Sequence, residues 1–186
     1  MDALARALVP TLLHELANTT QLLTGLHALL GIPDAGDLLE RREGDLARAG
    51  DDAHRLGWLL GVLGAASGHD LLRSRRERAG LEWMRELVAK AARKAGRPLG
   101  PGPETLPELS GSAQADGWTV PWSFGCALWS MPSDAPWSLQ ENGEHLEVFG
   151  GPLEDELSAA VAGVSPAVQI SASGQLMIPK TLLALP

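Results

Sequence analysis

Leu12-Leu13-His14-Glu15-Leu16-Ala17-Asn18-Thr19-Thr20-Gln21-Leu22-Leu23 lies inside a longer apolar repeat. The repeat runs through Ala5, Val9, Leu12, Leu16, Thr19, Leu23, Leu26 and Leu30, in alternating steps of four and three. Such steps draw one line along a helix and predict a heptad-like seam for a second helix. Pro10 either opens the main helix or kinks it near its beginning, and Gly31-Ile32-Pro33 supplies the stop. A second seam follows at Leu39, Leu46, Ala49, Ala53, Leu56, Leu60 and Leu63, with Glu40, Arg41, Arg48 and Asp51 between, and predicts one long helix over residues 36 to 67. The short connection around Pro33-Asp34 sets the two helices antiparallel. Leu13, Leu22, Leu29, Leu38 and Leu59 lie off both seams, more apolar surface than one hairpin contact covers. Pairing two hairpins into a dimeric four-helix bundle buries it, so a homodimer is expected.

The chain has 186 residues, with Lys+Arg 15 against Asp+Glu 23 and a formal net charge of −8. That field repels phosphate backbones and anionic lipid, so no nucleic-acid or membrane partner is expected. No apolar run approaches the roughly 20 residues of a membrane span, and no signal peptide or anchor is read at the start. Cys126 is alone, which rules out an internal disulfide and a multi-cysteine metal cluster and suits a reducing compartment. A cytoplasmic location is expected.

Beyond Gly68-His69-Asp70 comes an arginine-rich run, Arg73, Arg75, Arg76 and Arg78, read as a solvated linker without a role. Leu81, Met84, Val88 and Ala91 predict a helix that ends at Gly96, before the Gly/Pro-rich stretch to Pro107. Pro121 looks like the first position of a short helix with Trp122, Cys126 and Trp129 on one face. Residues 137 to 141 and 145 to 149 alternate around Asn142-Gly143, a hairpin signal, and a second hairpin is expected around Ser173-Gly174. Between them, Leu153 to Val161 reads as a short helix with Glu154, Asp155 and Glu156 at its positive end. The expected fold is α+β: a helical hairpin domain over 1–70, then a small α/β sandwich domain over 78–186. Trp118, Trp122, Trp129 and Trp137 are expected to fill the latter, with Cys126 as a small core residue.

The chemistry is concentrated at His14. A zinc-protease helix needs a second histidine four residues on, where this chain has Asn18. The order His14, Glu15, Leu16, Asn18 instead resembles the H-box of two-component sensor histidine kinases, although Thr19 stands where that family usually has proline. The resemblance implies a phosphoacceptor at His14, with Glu15 matching the acidic residue that assists attack on ATP. An unperturbed histidine, with a pKa of about 6.5, is mostly neutral and nucleophilic at neutral pH. Asn18, one turn on, shares its face and can bond near a phosphoryl group or an attacking water.

The rest of the kinase pattern is missing. The helix from Trp122 to Met131 has no asparagine, no Asp-x-Gly-x-Gly turn occurs, and Gly150-Gly151 leads straight into Pro152. A phosphorylatable hairpin joined to a degenerate ATPase-like domain resembles the dimeric histidine phosphotransferases of bacterial phosphorelays. That resemblance implies phosphoryl transfer between response-regulator receiver aspartates, without ATP and without a cofactor on this chain, the magnesium ion being the receiver's. It implies that Glu15, Asn18, Gln21, Leu22 and Gly25 meet the receiver, with Asp52, Arg55 and Leu56 completing the groove. Two other readings stand beside it: a catalytically inactive pseudo-histidine-kinase that binds a receiver or a kinase, and a true kinase with a cryptic nucleotide site. His27, His54, His69 and His145 lack ligand partners in the sequence and read as solvated or structural.

Overall fold

The apolar repeat around His14 folds as one helix, α1 (Ala3–Leu30), with Pro10 inside it. The computed structural model describes residues 3–33, 36–69, 77–107, 118–163 and 167–179. Pro10 does not open the helix but lies within it, with its ring exposed, so the carbonyl that loses its helical partner is free to meet water. Two tightened turns close the helix, Gly31 N–H to the Ala28 carbonyl and Ile32 N–H to that of Leu29.

The second helix differs from the single one expected. It divides into α2 (Gly36–Glu40) and α3 (Glu43–Ala66), with Arg41 and Arg42 in a turn. Arg42 leaves helical geometry at φ −106°, ψ 6°. Its guanidinium pairs with Asp45 in the first turn of α3 at 2.7 Å, where Asp45 also meets Arg48. A carboxylate beside the positive end of α3 favours a fresh helix start there.

α1 and α3 pack on each other, and each covers only one column of its own repeat. On α1, Ala5, Leu12, Thr19 and Leu26 are buried, while Leu16, Leu23 and Leu30 are 37%, 38% and 66% exposed. On α3, Ala49 and Leu56 are buried, while Leu46 is 57% exposed and Ala53 is exposed. The seams are half filled.

The remaining elements are α4 (Gly80–Lys94), α5 (Thr119–Ser130), β1 (Ser138–Asn142), β2 (His145–Phe149), α6 (Asp155–Ala162), β3 (Gln169–Ile170) and β4 (Leu176–Pro179). The strands form an antiparallel sheet in the order β1-β2-β4-β3. Alternation sets its inner face: Leu146 pairs with Ile178 and Val148 with Leu176, all four buried. The first hairpin turns one residue later than Asn142-Gly143 suggests. Asn142 pairs with His145, so Gly143 and Glu144 are the central residues, and Gly143 takes φ +56° as the first position of a type II′ turn requires.

α5 sits at the centre, in contact with α1, α3, α4, α6 and β4. It is buried from Thr119 to Trp129 on every face, not on the Trp122 face alone, because neighbours surround it. Leu4, Leu8 and Leu12 of α1 join Met84, Trp122, Phe124, Leu157 and Ile178 in one continuous core. Gly125 permits a close approach of α1 and α4 to α5, since a Cβ there would lie 2.9 Å from the Met84 sulfur and 3.2 Å from Leu4. Trp137 and Trp129 are also buried and Trp118 packs against the core edge. The run Arg73, Arg75 and Arg76 lies outside the described residues.

Candidate functional site

His14 stands where the covering of α1 ends. Thr11, three residues earlier, is 1% exposed, and Ala7, seven earlier, is packed against the core. From His14 onward the same face is open: His14, Asn18, Gln21 and Gly25 are all exposed. Their steps of four, three and four place them on one strip, about 16 Å long at 1.5 Å per residue. The Asn18 side-chain amide lies 3.4 Å from His14 Nε2. In the tautomer protonated on Nδ1, that amide donates loosely to the Nε2 lone pair, which also faces solvent.

Glu15 turns the other way, into the joint between three helices. Lys90 Nζ on α4 donates to Glu15 Oε2 at 2.7 Å, and Arg55 Nη2 on α3 reaches the same oxygen at 3.5 Å. Arg55 also binds Asp52 at 3.0 Å and Glu86 at 2.9 Å. Three carboxylates therefore surround one guanidinium, whose side chain is only 13% exposed. Partial burial pushes the Glu15 carboxyl up, but the Lys90 hydrogen bond and the charges of Lys90, Arg55 and His14 outweigh it and hold the group below its ordinary value. The carboxylate adjacent to the imidazole is thus ionised and held by cations.

The sequence-predicted residues separate into two sets. His14, Asn18, Gln21 and Gly25 share the open strip, with Leu22 half-buried beside it. Glu15, Asp52 and Arg55 are linked in the joint, and Leu56 is in the core, supporting the helices from within. Lys90 and Glu86 belong to this site and were not read from the sequence. Their one-turn spacing on α4 marks only a common surface pair, and nothing in it points to a helix 75 residues away.

His54 meets Glu77 at 3.2 Å and packs edge-on against Trp83, His27 and His69 are exposed, and His145 ends a turn in the sheet. Among the described residues no three His, Cys, Asp or Glu side chains are grouped to hold a metal ion. Among them, no helix is long and apolar enough to cross a membrane. No known family model matches the chain, and no curated protein matches its sequence.

Proposed function

We propose that this chain is a histidine phosphotransferase of a phosphorelay, passing a phosphoryl group between receiver aspartates through His14 without binding ATP. The observation that carries the reading is the exposed His14 at the head of an open helical strip, with Asn18 against its Nε2. In the reaction, the Nε2 lone pair attacks the phosphorus of an aspartyl phosphate in line with the bond to be broken. The P–O bond to the aspartate breaks and its electron pair stays on that oxygen, which leaves as carboxylate. The imidazole keeps its Nδ1 proton, so the phosphorylated ring carries the positive charge and can return the group by the reverse step. Asn18 then donates to a phosphoryl oxygen, and Gln21, Leu22 and Gly25 offer the receiver a surface. The receiver brings its own magnesium ion, which neutralises charge on the group in transit.

Dimerisation through the open columns completes the proposal. At 100° per residue, Leu16 and Leu23 lie about 160° and 180° around α1 from His14. A second copy packed on Leu16, Leu23 and Leu30 with Leu46 and Ala53 fills both seams and leaves the imidazole clear. Independence from ATP rests on the missing phosphate-binding glycines and on α5, whose side chains from Thr119 to Trp129 are all taken up by the core. We place the protein in the cytoplasm on its single cysteine.

The test is incubation with a panel of phosphorylated receivers. The expected result is label on the wild type, none on His14→Ala, and none from radioactive ATP alone. Label that survives His14→Ala overturns the assignment. Equal binding of a partner to both forms, with no phosphoryl on either, selects a pseudo-kinase binding module instead.

A further inference from the structure

We propose that Lys90 is a positioning residue for the phosphorylated state: it pairs with Glu15 while His14 is bare and turns to the phosphoryl oxygens when His14 is loaded. The inference rests on His14 as phosphoacceptor. It follows from the charges around the joint. Glu15 on α1, Asp52 on α3 and Glu86 on α4 set three negative charges against Arg55 on α3 and Lys90 on α4. A phosphoryl group on His14 puts up to two negative charges on its oxygens, against one positive charge on the ring, at the residue next to Glu15 in the chain, about 3.8 Å away from Cα to Cα. A cation of the joint is the protein group placed to answer that charge.

The two candidates differ in freedom. Arg55 is held by three carboxylates and 13% exposed, so moving it leaves Asp52 and Glu86 unpaired. Lys90 is 37% exposed, and Glu15 is its acidic partner among the described residues. Its ammonium is a point charge on a flexible four-carbon stem, which re-aims without the planar match a guanidinium needs. Arg55 remains on Glu15 at 3.5 Å, so the carboxylate keeps a counter-charge when the lysine leaves. No covalent bond changes in the turn.

The test uses the full-length chain and phosphoramidate, a small chemical donor that loads histidine without any receiver. The phosphohistidine signal that His14→Ala lacks is followed by phosphorus NMR as a function of pH. A neighbouring cation favours the dianion, so the phosphoryl group of the wild type is expected to lose its last proton about half a pH unit or more below that of Lys90→Met. Lys90→Arg, which keeps the charge, is expected to restore most of the shift. Superimposed titrations of wild type and Lys90→Met overturn the proposal, and so does a Lys90 side-chain nitrogen NMR signal that stays unchanged when His14 is loaded, since a lysine that remains on Glu15 shifts the titration only through space. Thermal unfolding of Lys90→Met and Lys90→Arg confirms that folded protein is being compared. Failure of transfer from receivers, with this titration shift intact, would sink the relay function and not the role of Lys90.

Discussion

The two halves of α1 are built from one repeat and live in different surroundings. From Leu4 to Leu12 the helix is embedded, its leucines sharing a core with α4, α5 and the sheet. From Leu16 to Leu30 only Thr19 and Leu26 are buried, and Leu16, Leu23 and Leu30 are exposed. His14 lies at the junction. The difference teaches that periodicity states which positions need cover, while the neighbours present decide which positions receive it. The embedded half gives the imidazole a fixed base, and the free half leaves an open strip beside it.

Substitutions in the two halves should therefore fail in different ways. Leu8→Ala removes a fully buried side chain, and its urea midpoint should fall by an amount worth about 2 to 5 kcal/mol. The double substitution Leu16→Glu, Leu23→Glu should leave the monomer folded and convert a dimer to a monomer in light scattering. A dimer that survives it would place the interface elsewhere. At the junction the expectation is a pH effect. Because the folded state lowers the Glu15 carboxyl, the folded chain binds fewer protons than the unfolded one in acid, so stability rises with pH there. That contribution is fully present above the unfolded glutamate value, about 4.3, and disappears as pH falls through the lower folded value. Denaturation from about pH 6 to about pH 3 should show wild type ahead of Glu15→Gln by about 1 kcal/mol at the upper end and level with it at the lower. The smallest effect is expected at Gly25, where among the described residues nothing lies within 4 Å of an added Cβ. Gly25→Ala should stabilise the free half by about 0.5 to 1 kcal/mol, read as slower amide exchange from Leu22 to Leu29.

Much of this was legible in the sequence. The steps of three and four locate α1, α4 and α6, and alternation around Gly143 and Gly174 locates both hairpins, because these signals are local. The pairing of His14 with Asn18 is legible for the same reason, being one helical turn. The break at Arg41–Arg42 is marked only faintly, since the seam keeps its phase across it by a step of seven from Leu39 to Leu46, with Arg42 and Glu43 at the skipped position, and the ionic contacts of Asp45 mark the new start. The full burial of α5 is not legible, since it depends on elements arriving from both ends of the chain. The joint of Glu15 with Lys90 is the clearest case. Its partners sit on separate helices, and no spacing rule ties one to the other.

The tight approach at Gly125 has a mechanical corollary. With the Met84 thioether and Leu4 pressed onto a backbone that has no side chain of its own, the first helix is keyed into the central one. On the proposed function, traffic at His14 is carried by visitors that dock and depart, with the chain as a stationary platform.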